Sequence, residues 1–168
     1  MAVQSLQEPF RRGQMGSVSA QSAPLETTGS PMNPIEITLQ ALDAAERAIP
    51  AGHPVYMLNL LRYRAYAHYE DGFDAAPCSG REAFHERYRP AFGRLAAGKP
   101  LARMFSGPVL ASLVGPQGER WDEAAINEYG DFAAFRSIVD TATYRREAAP
   151  HRHAALEDFR LFALAKAM

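Results

Sequence analysis

Apolar and polar positions along this chain fall into two periods, and together they lay out most of its elements. From Thr38 to Ile49, Leu39, Leu42, Ala45 and Ile49 recur at helical spacing, and Pro50 with Gly52 stops the run. Pro54 to Arg62 is instead a continuous β-branched, aromatic and aliphatic stretch behind Gly52-His53-Pro54, which predicts a buried strand. A loop from Ala67 to Gly80 carries the breakers Gly72, Pro77 and Gly80. Ser79 then caps a helix, with Glu82 three residues on completing a capping box. Ala83, Phe84, Arg87, Tyr88, Ala91 and Leu95 share one face of that helix, Gly98 ends it, and Tyr88-Arg-Pro90 allows a kink. Arg103 to Val114 reads as a strand interrupted at Gly107-Pro108, Gly115-Pro-Gln-Gly118 as a turn, and Trp121 to Tyr129 as a third strand in hairpin with the second. Asp131 caps a helix holding Phe132, Phe135, Ile138 and Val139, and Tyr144 opens a further helical piece ending before Pro150. A turn from His151 to Glu157 leads into a last strand, Phe159 to Leu164.

With the first helix set aside, the order is β-α-β-β-α-β, the ferredoxin-like α+β arrangement of a four-stranded antiparallel sheet with both helices on one face. The chain supplies nothing large enough for the other face. A second copy packed sheet against sheet is the expected cover, giving a homodimer with a barrel-like interior. Residues 52–168 form the expected α/β-barrel domain, residues 33–51 an added N-terminal helix, and residues 1–32 a tail. That tail is rich in Ser, Gln, Gly and Ala without a sustained period, so disorder is expected there. Arg11 and Arg12 among its serines hint at a transit segment, but Glu8 and Glu26 argue against one, and a secretory signal lacks its apolar stretch.

Composition narrows the function classes. The net charge of −1 over 168 residues is too balanced for a phosphate-backbone binder, and no nucleic-acid partner is expected. No run approaches the roughly 18 apolar residues of a membrane span. The single Cys78 cannot form an internal disulfide, which points to a reducing compartment, the cytoplasm.

Strand parity nominates a pocket. Val55, Met57, Asn59 and Leu61 share one face of the first strand, with Tyr56, Leu58 and Leu60 on the other. In the third strand Trp121, Glu123, Ala125, Asn127 and Tyr129 lie opposite Asp122, Ala124, Ile126 and Glu128. The small apolar pair Ala124 and Ile126 suits packing under helices, and the mixed face suits a cavity wall, so Asn59 and Asn127 are expected to point into the barrel. Two amides in an apolar cavity make a polar spot of the kind a small-molecule site needs. The alternative reading has Asn59 only satisfying a neighbouring backbone group and Trp121 only filling core.

Four blocks carry a family resemblance: Leu58-Asn-Leu-Leu-Arg62, Pro77-Cys-Ser-Gly-Arg-Glu-Ala83, Gly115-Pro-Gln-Gly-Glu-Arg-Trp-Asp-Glu123 and Pro150-His-Arg-His-Ala-Ala-Leu-Glu-Asp158. In this order, over Gly52 to Leu164, the chain resembles the domain of unknown function 1330 family, within the dimeric α/β-barrel superfamily. The resemblance implies the fold and the dimer. The superfamily's activities include cofactor-independent monooxygenases, cyclases, isomerases, haem enzymes and binding proteins, so the site must choose among them.

Side-chain chemistry supplies the choice. His151, in His151-Arg152-His153, is the candidate general base because its ordinary pKa lies near working pH. The bland alternative has it merely following the Pro150 break, with Arg152 pairing to Glu157 or Asp158. Asn59 and Asn127 are candidate enolate hydrogen-bond donors, Arg62 a candidate anion anchor, and Tyr88, Trp121 and Tyr129 candidate walls. His-x-His and Glu82-x-x-His85 carry metal-type ligands without a compact motif, and Cys78-Ser79 carries a nucleophile without a placed base. Arg62, Tyr63, Arg64 and Tyr66 interleave as base-stacking side chains do, beside the acidic Glu70, Asp71 and Asp74. The expectation is a small-molecule enzyme acting by proton abstraction without metal or organic cofactor, leading to isomerisation, cyclisation or monooxygenation. The alternative is a non-catalytic binding protein for a small apolar metabolite.

Overall fold

In the computed structural model, which describes residues 35–166, four strands form one antiparallel sheet in the order β2-β3-β1-β4. They are β1 (Val55–Tyr63), β2 (Leu101–Pro108), β3 (Glu123–Tyr129) and β4 (Leu156–Leu164). The expected tail, residues 1–32, lies outside the described residues. Helix α1 (Leu39–Ala48) starts where Thr38 accepts the Ala41 N–H at 3.1 Å. The ferredoxin-like order follows from β1 to β2 through one long helix and from β3 to β4 through three short ones. Among the described residues no helix is long and apolar enough to cross a membrane.

The first crossover opens on the expected capping box: Ser79 Oγ accepts the Glu82 N–H, and Glu82 reaches back to the Ser79 N–H at 2.8 Å. It runs through α2 (Gly80–Glu82), a π-helical run (Ala83–Tyr88) and α3 (Arg89–Leu95). Pro90 has no N–H, and its ring would clash with the carbonyl four residues back. The widened turn avoids that clash, with the Arg89 N–H bonding to Phe84 O instead. Gly80 sits where three segments meet. A Cβ there would stand 2.5 Å from the Arg64 carbonyl oxygen and closer still to that of Ala155.

The second crossover is α4 (Phe132–Val139), capped by Asp131, followed by α5 (Ala142–Glu147) and α6 (Ala149–Ala155). Residues 151–155, expected as a turn, belong to α6. Pro150 occupies the first turn, where its missing N–H costs nothing, so it starts a helix instead of ending one. The last strand accordingly begins at Leu156, earlier than expected. The second strand is also shorter than expected. β2 stops at Pro108, and Leu110, Leu113 and Val114 stand at 90%, 93% and 95% exposure in a loop, because β3 begins only at Glu123 and offers them no partner.

The larger correction concerns the faces. The parity expected for β1 and β3 holds in the register, which pairs Asn59 with Ala125 and Met57 with Asn127. The covered set is the opposite one. Val55, Met57, Leu61 and Tyr129 are buried against the helices, packed with Ala91, Phe135 and Ile138 at one end, and Leu61 with Phe84 and Phe159 at the other. Asn59 and Asn127 therefore lie between sheet and helices, and Ala124 and Ile126 share the uncovered face with Leu58, which pairs with Phe162. On that face Phe105 and Phe162 remain 52% and 48% exposed.

Candidate active site

Sheet and helices do not close completely upon each other. They leave a cavity of about 450 Å³, in the size range of small-molecule sites. Met57, Tyr129, Phe135, Val139 and Leu161 supply apolar wall, and Tyr88 enters from the π-helical run between Phe84 and Phe92, its ring tilted to both. Asn59, Asn127, Tyr88 and Tyr129 all line this space. Burial raises the Tyr129 hydroxyl pKa above the ordinary phenol value, with the Tyr88 hydroxyl adding to it, so Tyr129 stays protonated.

At one end the wall turns polar around Glu123, a carboxylate only 5% exposed. Its Oε2 accepts the Tyr63 hydroxyl at 2.9 Å and meets His85 Nε2 at 2.9 Å, with Arg81 Nη1 at 3.8 Å. Its Oε1 accepts only the Ser106 hydroxyl, at 3.0 Å, among the described residues. A carboxylate oxygen has two lone pairs, so Oε1 keeps one free. On the far side of the imidazole, Arg89 Nη1 donates to His85 Nδ1 at 2.9 Å. A guanidinium cannot accept, so Nδ1 is the accepting nitrogen and Nε2 carries the proton given to Glu123. Burial works to raise the Glu123 pKa, but the hydrogen bonds from Tyr63 and Ser106, with His85, outweigh it and hold the carboxyl below its ordinary value. Tyr63 moves the other way: burial, then the adjacent Glu123 charge, pushes its hydroxyl far above the ordinary phenol value.

The two amides differ. Asn59 Nδ2 donates to Met57 O at 2.9 Å and Ala125 O at 3.4 Å, so its donor end is already taken by backbone. The expected donor role for Asn59 thus gives way to the structural alternative, and what it offers a ligand is its carbonyl oxygen. Asn127 makes no side-chain hydrogen bond to any described residue and keeps both its donors and its acceptor.

Three of the expected site residues lie elsewhere. His151 is on α6, its Nδ1 2.9 Å from the Tyr69 hydroxyl and its ring edge-on to Tyr69 and Phe73. Burial, with Arg87 and Arg94 nearby, lowers its pKa. Arg62 pairs with Glu157 at 3.2 Å, and Trp121 lies under the Arg160 guanidinium, 5.3 Å from its ring centre. Arg152 meets neither Glu157 nor Asp158; it is buried, donating to the Tyr144 hydroxyl at 2.7 Å and lying over the Phe159 ring. The residues missed from sequence are Glu123, His85, Tyr63, Ser106, Arg89 and Arg103. One signal was available: Glu123 is a carboxylate placed mid-chain between Trp121 and Ala125 at the parity of Asn127 and Tyr129. Among the described residues no three His, Cys, Asp or Glu side chains are grouped as metal ligands are.

No protein-family model matches the chain, and no curated protein matches it. Solved structures do. The methylated RPA0582 protein is 35% identical, with a TM-score of 0.65, and the match covers 80% of this chain and 95% of that one. The chain belongs to the RPA0582 family. A second RPA0582 structure, from Rhodopseudomonas palustris, is 36% identical with a TM-score of 0.63 over 80% of this chain and 97% of that one. RPA0582 is itself described as a protein of unknown function, so family membership carries the fold and leaves the chemistry to the cavity.

Proposed function

We propose that this protein is a small-molecule enzyme that abstracts a proton from carbon, with Glu123 as the base and no cofactor taking part. The observation that carries the reading is Glu123 at one polar end of the cavity, with a lone pair on Oε1 that no described residue takes up. In the step envisaged, Oε1 takes a proton from a carbon next to a carbonyl. The C–H bonding pair moves to the carbonyl oxygen, giving the enolate; Asn127, the donor expected from sequence, lies four residues along β3 from Glu123 and faces the other end of the ligand. Reprotonation at another carbon is an isomerisation and attack on an internal electrophile a cyclisation; capture by molecular oxygen gives a peroxide, which becomes a monooxygenation when that carbon loses its remaining proton, the O–O bond breaks and the second oxygen leaves as water. A carboxylate with a lowered pKa is a weak base in water, and the surrounding apolar wall is what strengthens it toward a bound carbon acid. Tyr63, His85 and Arg89 act through Glu123, fixing its orientation and charge.

A non-catalytic carrier is the second reading, favoured by one observation: both His85 nitrogens and Glu123 Oε2 are already engaged, as in a network built to stay fixed. Solvent exchange separates the two. A panel of small carbon acids in D2O, followed by proton NMR, should show exchange catalysed by the wild type and lost in Glu123→Gln. Binding without exchange throughout the panel would favour the carrier.

The same proposal includes a homodimer and a cytoplasmic setting. The uncovered sheet face, with Leu58, Ile126, Phe105 and Phe162 contiguous by register, is the kind of apolar surface that monomers seldom leave in water. Placement within the domain of unknown function 1330 family rests on the four sequence blocks, whose Leu58–Arg62 and Trp121–Glu123 portions bring Asn59 and Glu123 to the cavity.

A further inference from the structure

The cavity's charges do not balance. Two guanidinium side chains, Arg89 and Arg103, line it against a single carboxylate, Glu123. Arg89 has one nitrogen on His85 Nδ1 and belongs to the Glu123 network. Arg103 does not. It stands on β2 directly across from Asn127 of β3, and no ion-pair partner meets it among the described residues, whereas Arg62, Arg136 and Arg160 each hold a carboxylate. Asn127 beside it has an amide free of hydrogen bonds to described residues and lines the same wall. A free guanidinium fork next to a free amide donor is a ready site for a planar anion.

Resting on the proton-transfer reading above, we propose that the ligand is a small organic monoanion, a carboxylic acid, whose carboxylate is bound by Arg103 and Asn127 while its apolar body extends toward Glu123. Cationic side chains outnumber the single carboxylate among those lining the cavity, which favours an anionic ligand, and the planar guanidinium fork beside an amide matches a carboxylate. Asn127 and Glu123 are four residues apart on β3, about 13 Å of strand at roughly 3.3 Å per residue. The two ends of the site therefore address different parts of the ligand: the carboxylate anchors, and the reacting carbon lies at a distance from it, along the wall of Met57 and Leu161.

Calorimetry with the full chain tests this, using 4-phenylbutanoate and 4-phenylbutanamide as a matched charged and neutral pair. The acid is expected to bind at least about tenfold more tightly than the amide. Arg103→Ala should erase that preference by weakening the acid alone, and Arg103→Lys, which keeps charge but loses the fork, should fall between. Arg103 is exposed, so its replacement leaves the core intact, which circular dichroism checks. Equal affinities for acid and amide, no acid binding at millimolar concentration, or an acid preference that survives Arg103→Ala would each overturn the proposal. Deuterium exchange into neutral carbon acids reads the other claim independently. Exchange lost in Glu123→Gln together with indifference to Arg103 would leave the proton-transfer reading standing without this one, and acid-selective binding with no exchange would do the reverse.

Discussion

Replacing Glu123 by Gln preserves shape and removes one charge at the centre of the site, so its cost can be worked from three contacts. Tyr63, His85 and Ser106 donate to the carboxylate at 2.9, 2.9 and 3.0 Å. Hydrogen bonds to an ionised acceptor are worth about 1.5–3 kcal/mol each and neutral ones about 0.5–1.5, so roughly 1 kcal/mol is lost per bond. The new amide NH2 also faces a donor. Against this, a neutral amide costs less to bury than a carboxylate. The net is a destabilisation of about 1–3 kcal/mol at neutral pH, or a fall in Tm of roughly 3–10 °C for a chain of this size. The effect has a pH signature. Glu123 in the folded state has a pKa below its ordinary 4.5, so the unfolded chain binds the proton more readily. Its stabilisation is complete above about 4.5 and is lost as pH falls through the folded-state value. Urea unfolding followed by fluorescence at pH 7 and again near pH 4 should show wild type ahead of Glu123→Gln and the gap narrowing in acid. A variant as stable as wild type at pH 7, or a gap that widens on acidification, would refute the assignment of an ionised, hydrogen-bonded Glu123.

Tyr63→Phe removes one donor from Oε2 and should raise the Glu123 pKa toward the ordinary value, read by carbon-13 NMR of labelled glutamate. Gly80→Ala drives a methyl group into the Arg64 and Ala155 backbones and should cost about 3 kcal/mol or more, seen in a thermal melt. His151→Ala breaks a contact with Tyr69 away from the cavity; it should cost about 1 kcal/mol in unfolding and leave ligand affinity unchanged by titration. Phe162→Asp, on the uncovered sheet face, should turn a dimer into a folded monomer by light scattering, and a wild type that is already monomeric would remove the dimer from the account.

Much of this fold was legible because its signals are local. The Ser79 and Glu82 capping box, the Asp131 cap and the apolar run of β1 each declare themselves within a few residues. What failed was non-local or two-valued. Pro150 reads equally well as a helix end or a helix start, and only the packing of α6 decides. Strand parity places Asn59, Glu123 and Asn127 on one face, but which face the helices cover depends on partners far along the chain, such as Ala91 and Phe135. That single inversion explains most of the candidate site. Asn59, Asn127, Tyr88 and Tyr129 reach a cavity, though one on the helix side; His151 and Arg62 rest on side-chain chemistry, and Trp121 on the parity of a strand that starts only at Glu123, and these three lie outside it. Glu123 and His85 were missed because nothing in their spacing, 38 residues apart, announces that the π-helical run and β3 meet.

The central claim is that Glu123 deprotonates a small molecule held in this cavity, and one measurement addresses it without knowing the substrate. Wild type and Glu123→Gln are each incubated in D2O with a small-molecule extract of cells that make the protein, and every component is weighed by mass spectrometry. At least one small carboxylic acid should gain carbon-bound deuterium, or convert to a deuterated isomer, only in the presence of wild-type protein. An extract in which no component changes, or one that changes equally with Glu123→Gln, would contradict it.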